Sequence, residues 1–237
     1  MVRLAIATVI VLTGAFALAA FYAPEDADQG IIQKIFYVHV PMGIVALGGF
    51  VAGAIMAIQH LRTRDRIWDL RSYVTIHLSL VLAIGVLVTG SIWAQGSWGV
   101  WWTWDEPMLV AFLIIFLLYA TYQPLRFSIE DPERQSRYAS VFAIVAGVFV
   151  PINFAAVRFA QNTTIHPRTF EQTDGGMPGE MMLTFLVALA GMTLLFVTLT
   201  RYEIAAKQTR FRLKALKRRL AGDDTLLAGR SAVPEVV

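Results

Sequence analysis

The feature that most constrains this chain is its distribution of charge, which leaves six long stretches without Asp, Glu, Lys or Arg. An unpaired charge in the hydrocarbon of a membrane is costly, and a helix needs about 20 apolar residues to cross it. Only 16% of the residues are charged, against about 25% in an average globular protein. The pattern therefore predicts an all-α membrane protein built as a six-helix transmembrane bundle. The stretches are Leu4–Tyr22, Ile35–Leu61, Ser72–Trp104, Pro107–Leu125, Tyr138–Val157 and Met181–Thr200.

The third stretch is too long for a single span, because its 33 residues would rise about 50 Å as one helix. We therefore predict a span from about Tyr73 to Trp93, followed by a tryptophan-rich segment that lies outside the membrane core.

The basic residues predict the orientation of the bundle. With the N-terminus in the cytoplasm, 17 of the 20 Lys and Arg residues fall on the inner side, and only Lys34, Arg158 and Arg168 fall outside. This asymmetry predicts six spans with both termini cytoplasmic. Residues 1–200 then form the membrane domain, and residues 201–237 form a basic cytoplasmic helix and tail, frayed from about Ala221. The basic helix suits either the anionic inner leaflet or a cytoplasmic partner.

The N-terminus has an alternative interpretation. Arg3, the apolar stretch and Ala17-Leu18-Ala19 together resemble a secretory signal peptide with a cleavage site. Cleavage would leave five spans with the same sidedness.

Composition also limits the chemistry available to the chain. The absence of cysteine excludes disulfides, thiolate metal sites and a haem linked covalently through the chain's own thiols. The net charge of +3 does not predict nucleic-acid binding, because the basic residues do not line one face. No nucleophile or acid–base pair in a cleft is evident, so we do not expect an enzyme.

Four of the six tryptophans lie within seven residues, from Trp98 to Trp104. If this segment is helical, Trp98, Trp101, Trp102 and Asp105 share one face. Such a face could hold a planar aromatic ligand or a lipid, although an interfacial aromatic belt explains the tryptophans as well. Asp105 and Glu106 have no local cation. Asp105 is a plausible cap for the helix that begins near Pro107.

The predicted topology divides the four histidines into two pairs. His39 and His166 lie on the outer, tryptophan-rich side, whereas His60 and His77 lie near the inner headgroups. Two imidazoles beside an aromatic surface suit a haem with a histidine on each face, and Arg168 is the first choice to pair with a propionate. Zinc is a weaker alternative, because Asp105, Glu106 or Glu171 would have to complete the ligand set. Met42 could replace an imidazole as ligand, although buried methionine usually serves packing.

The segment from Trp98 to Asp105 resembles the signature of the tryptophan-rich "WWD" family of membrane haem-handling proteins in cytochrome c maturation. Six spans in about 240 residues are similar to its CcmC branch, and the resemblance extends to about Arg201. It implies that His39 and His166 ligate the iron of a non-covalent, transient b-type haem above Trp98, Trp101, Trp102, Trp104 and Asp105.

The same resemblance implies a location and partners. Haem is expected at the outer face of the bacterial inner membrane, with delivery to the haem chaperone CcmE and with CcmA, CcmB and CcmD as complex partners. One residue departs from the family pattern: Glu106 follows Asp105 where a basic residue is expected nearby.

Two other functions stay open on the residues alone. A permease for haem or another substrate would need polar groups within the spans, of which Asn153 is the main example. A structural subunit whose tryptophans bind lipid would need neither outer histidine.

Overall fold

The computed structural model describes residues 1–159, 164–166 and 177–230. Within these ranges the chain is helical, with no strand and a single isolated bridge between Asp26 and Gly30. A short 3-10 helix, Ile31–Ile35, precedes the second α-helix. The α-helices are α1 (Val2–Phe21), α2 (Phe36–Thr63), α3 (Arg66–Trp98), α4 (Pro107–Ala120), α5 (Tyr122–Phe127), α6 (Pro132–Phe159) and α7 (Gly179–Arg230).

Six helical segments are long and apolar enough to cross a membrane, with α4 and α5 together forming one of them. The predicted fold class is thereby confirmed, and the protein is an integral membrane protein. Each predicted stretch falls within one of the helices, the 3-10 helix being taken together with α2 and α4 together with α5, except that the first ends one residue beyond α1 and the last residues of the third lie beyond the end of α3. The uncharged stretches match the helices because a charge buried in hydrocarbon is costly at any position along a membrane helix.

The third span is longer than predicted. Helix α3 continues past Trp93 to Trp98, and it ends there because Gly99 adopts a left-handed conformation at φ 75°. The amide of Gly99 donates to the carbonyl of Gln95, which closes the final turn.

Helix α2 lies at the centre of the bundle, where it packs against α3, α6 and α7, while α1 packs on α7. The main core joins α2, α3, α4 and α6, and in it the ring of Phe50 stacks on Tyr119 at 3.8 Å between centroids. Asn153 of α6 donates to the carbonyl of Ala111 in α4 at 2.6 Å. This polar group, on which a permease interpretation depended, therefore joins two helices.

The end of the bundle that carries Arg126 is called the arginine end. There Arg126 donates to both carboxylate oxygens of Asp69, at 2.7 and 2.6 Å. His60 is buried and its Nδ1 lies 2.8 Å from the hydroxyl of Ser140, so the prediction that it extends to the headgroups is wrong. Ser140 of α6 supplies the polar partner that allows the imidazole to stay inside. His77 bonds to the side-chain amide of Gln123.

Helix α7 is 52 residues long and continues without a break from the membrane segment to Arg230. The expectation of a frayed end from Ala221 is wrong as far as Arg230, because the helical backbone persists for those ten residues. Lys207 connects this helix to the bundle, since its ammonium lies 5.0 Å from the centroid of the Tyr73 ring.

Adjacent glycines of α2 provide a test of the packing. A Cβ on Gly49 would lie 2.0 Å from Oγ of Ser79 and 2.7 Å from the ring of Phe196, whereas a Cβ on Gly48 would meet nothing within 4 Å. We expect Gly49→Ala to destabilise the fold by about 1–3 kcal/mol through overpacking. The measurement is thermal unfolding in detergent. Gly48→Ala is the control, and equal melting temperatures for the two variants would contradict the packing.

Candidate functional site

The residues singled out in the sequence gather at the end of the bundle opposite Arg126, called here the tryptophan end. His39 of α2 contacts α3, and His166 lies beside Trp93 of α3, with their ring centroids 6.3 Å apart. The indole N–H of Trp93 donates to the side chain of Gln29 at 3.1 Å. The contacts of the two histidines on α3, at Thr89 and at Trp93, are one helical turn apart. The structure therefore brings both predicted ligands to one region.

His39 is held by the residue pair Thr89-Gly90 of α3. Its Nδ1 lies 3.0 Å from Oγ1 of Thr89, and that hydroxyl bonds at 2.8 Å to the carbonyl of Gly85. A carbonyl can only accept, so a Thr89 hydroxyl that donates its one proton to Gly85 leaves its oxygen to accept from Nδ1 of His39. This network favours the tautomer protonated at Nδ1, which leaves a lone pair on Nε2.

Gly90 provides the space for the imidazole. A Cβ at this position would lie 2.9 Å from Cε1 of His39 and 3.5 Å from its Nδ1. Any larger residue would therefore displace the ring from Thr89. A close approach between the backbone of α3 and a functional side chain of α2 is the reason for glycine here.

The tryptophan segment is not a helix, so the condition under which Trp98, Trp101, Trp102 and Asp105 would share one helical face is not met. Gly99 ends α3 directly after Trp98, and the following residues form bends and a turn up to Pro107. The aromatic rings are brought together by tertiary packing instead. Trp98 packs edge-on against Trp93 at 5.0 Å, and Trp102 packs edge-on against Trp104 at 5.8 Å between centroids.

Two indoles of this segment face outward from the protein. Trp101 is 61% exposed and Trp104 is 72% exposed. The indole nitrogen of Trp102 is instead buried and has no hydrogen-bond partner among the described residues. The segment thus combines a packed base with an exposed aromatic edge that a planar apolar ligand could cover.

The acidic residue that caps α4 is Glu106, so the assignment of this role to Asp105 is wrong. Helix α4 begins at Pro107, and the carboxylate of Glu106 accepts from the amide of Met108 at 3.2 Å. Glu106 is only 1% exposed, whereas Asp105 is exposed. Glu106 also bonds to the hydroxyl of Thr164 and to the amide of Ile165, next to His166.

The remaining candidates differ in their positions. Met42 is buried against Val45, Val86 and Met192, so it serves the packing of the bundle. Arg168 and Glu171 lie outside the described residues. Within the described part of the chain, no group of three or more His, Asp or Glu side chains could hold a metal ion.

Sequence reasoning missed Thr89, Gly90 and Trp93 as site residues. Each occupies an apolar stretch in which its residue type is common, and its role depends on the register between α2 and α3. The need for glycine at position 90, where α3 contacts His39, can be recognised only once that register is known. Glu106 was recognised as lacking a local cation, but its partners lie 58 and 59 residues further along the chain.

Comparisons with known proteins identify the family that this chain is similar to. The family model described as "CcmC: Heme exporter protein C" matches residues 1–219. The chain is 31% identical over 218 residues to the heme exporter protein C of Rhodobacter capsulatus, covering 90% of this chain and 88% of that protein. It is 33% identical over 218 residues to that of Bradyrhizobium diazoefficiens, with 90% and 81% covered. For the protein of Escherichia coli K12 the identity is 30% over 197 residues, with 83% and 79% covered.

The role of Thr89 in setting the tautomer of His39 can be tested in the isolated protein. Thr89→Val removes the acceptor of the Nδ1 proton, which we expect to cost that tautomer about 1 kcal/mol. Thr89→Ser keeps the hydroxyl and is the matched control. Nitrogen NMR of histidine-labelled protein should show Nδ1 protonation in the neutral ring of the wild type and of Thr89→Ser, with a mixture in Thr89→Val. A wild-type ring protonated at Nε2 would contradict the assignment.

Proposed function

Because this chain belongs to the heme exporter protein C family, we propose that it binds haem at the outer membrane face and delivers it to the haem chaperone CcmE. Its work belongs to haem handling in cytochrome c biogenesis, and haem is its cargo. We place the protein in the bacterial inner membrane with both termini in the cytoplasm, supported by the 17 inner basic residues.

The observation that carries this proposal is that two imidazoles lie against the outer part of α3, the helix that leads into the tryptophan segment. His39 presents an unprotonated Nε2, and His166 lies at the same end of the bundle beside Trp93. Neutral imidazole nitrogens are common axial ligands of haem iron. We propose that His39 and His166 ligate the iron of the cargo.

The tryptophan segment supplies the surface for the porphyrin in this proposal. Trp101 and Trp104 offer exposed aromatic area, while Trp98 packs on Trp93 and Trp102 packs on Trp104. The exposed Asp105 directly follows Trp104, and we keep Arg168 as the proposed partner of a propionate.

The proposed binding is non-covalent and transient. The chain has no cysteine, so it cannot form the thioether bonds that fix a c-type haem. A ligand that sits on exposed indoles keeps part of its surface open to a second protein, which suits transfer. We therefore propose a carrier of b-type haem that does no catalysis itself and acts with CcmA, CcmB and CcmD.

The basic extension of α7 completes the proposed organisation. Residues 1–200 would contain the haem site, and residues 201–237 would lie in the cytoplasm. The described side chains from Thr209 to Leu220 are exposed, and six of them are Lys or Arg. They are thereby available to the anionic leaflet or to a cytoplasmic partner.

The ligand assignment is tested by titrating haem into the purified protein. We expect His39→Ala and His166→Ala each to weaken binding about tenfold or more and to shift the Soret band, because each variant loses an axial ligand. His77→Ala is the matched control, since that histidine lies at the arginine end of the bundle. Unchanged spectra in both outer variants would overturn the assignment.

The tryptophan surface has a separate test. We expect the double variant Trp101→Ala with Trp104→Ala to lower haem affinity about tenfold, because stacking area is lost while both imidazoles stay. The control is Trp68→Ala, whose ring packs against Arg71 at the arginine end of the bundle. Haem titration gives the affinity, and mixing with CcmE gives the transferred fraction. Equal affinity in the double variant and the wild type would exclude these indoles from the site.

A further inference from the structure

Glu106 is a fully buried acid whose partners connect two separate parts of the tryptophan end. Its side chain is 1% exposed, and it lies at the N-terminus of α4. Oε1 accepts from the amide of Met108 and from the hydroxyl of Thr164, while Oε2 accepts from the amide of Ile165 at 2.7 Å. Among the described residues its partners are hydrogen-bond donors, and none of them is Lys or Arg.

These bonds extend to the residue that we propose as the second haem ligand. The hydroxyl of Thr164 has one proton, which it donates to Glu106, and its oxygen accepts from the backbone amide of His166 at 3.2 Å. Glu106 therefore fixes Ile165 directly and His166 through Thr164. All three described residues of this loop are tied to the start of α4.

A carboxylate is the appropriate group for this position. Both of its oxygens accept, which matches three donors, and negative charge is favourable at a helix N-terminus. Glutamine has the same shape but would direct an N–H toward one of these donors. One of the bonds would then be replaced by contact between two donors.

We propose that Glu106 is the positioning residue for His166: it anchors the loop to α4 and so holds the second imidazole beside Trp93 before haem arrives. The inference rests on the proposed function, because that function makes His166 a haem ligand. The anchoring of the loop itself can be measured without haem. Glu106 directly follows Trp104 and Asp105. The anchor therefore connects the aromatic surface and the second ligand, so that they keep their relative positions.

The first measurement is amide hydrogen exchange in the haem-free protein. We expect Glu106→Gln to speed exchange at Ile165 about tenfold or more, because a bond to a charged acceptor is lost. Thr164→Val removes the hydroxyl that joins Glu106 to the amide of His166, and it leaves the bond from Met108 to Glu106 intact. It should therefore speed exchange at His166. Thr164→Ser restores the hydroxyl and should keep wild-type exchange. If Glu106→Gln does not fold, the two Thr164 variants decide the question.

Matched controls come from side chains of the same type elsewhere. Thr193→Val removes a hydroxyl that bonds only within α7, and Glu25→Gln neutralises an exposed acid. Neither should change exchange at Ile165 or His166. Wild-type exchange in both Glu106→Gln and Thr164→Val would overturn the anchor.

The second measurement is the spin state of bound haem. We expect Glu106→Gln and Thr164→Val to convert part of the low-spin, doubly ligated haem to a form ligated by His39 alone, with Thr164→Ser unchanged. Faster exchange with an unchanged spin state would show a loop anchor that does not position the ligand, and would overturn the proposal. If His166→Ala itself leaves the spectrum unchanged, the ligand assignment fails, while the exchange data still decide whether Glu106 anchors the loop.

Discussion

The close packing of α2 against α3 is the contact on which the rest of the structure depends. Helices in hydrocarbon gain little from burying apolar surface against each other, so small residues that allow close approach dominate their interfaces. Here a series of glycines follows the interface from Gly49 and Gly53 to Gly85 and Gly90, facing in turn Ser79, Ile76, Met42 and His39. The last contact of this packed series is the imidazole of the candidate site. The geometry of the first proposed ligand is thus a direct consequence of the register that stabilises the bundle.

The sequence predicted the spans well because the cost of charge in hydrocarbon depends on residue type alone. It predicted the site only in part. The sequence placed His39 and His166 on the same side because the uneven distribution of Lys and Arg predicts the topology of the spans. The partners Thr89 and Gly90 depend on how two helices are rotated and shifted against each other, and apolar stretches carry little information about that. The tryptophan segment is not helical, because Gly99 takes a left-handed conformation and ends α3 directly after Trp98.

The neighbouring acids Asp105 and Glu106 show a second limit of sequence reasoning. Either residue satisfies the local preference for an acid before a helix that starts near Pro107. Whether the helix cap is residue 105 or residue 106 decides which of the two acids is buried. The choice is made by donors from the loop at Thr164 and Ile165, far along the chain. Glu106 also departs from the pattern of the resembling family. A basic side chain at this position could not accept these three bonds.

The two ends of the bundle divide stability and binding between them. At the arginine end Arg126 and Asp69 form two short charge-assisted bonds, and His60 bonds to Ser140, so these polar groups have internal partners. At the tryptophan end Trp101 and Trp104 face outward and His39 Nε2 keeps a lone pair. Exposed aromatic surface gains most from covering by an external ligand, and its exposure weakens a fold least when the stabilising contacts lie elsewhere. The proposed carrier role requires that the protein bind its cargo and then release it, and this division would let the site lose a ligand while the bundle that positions it stays intact.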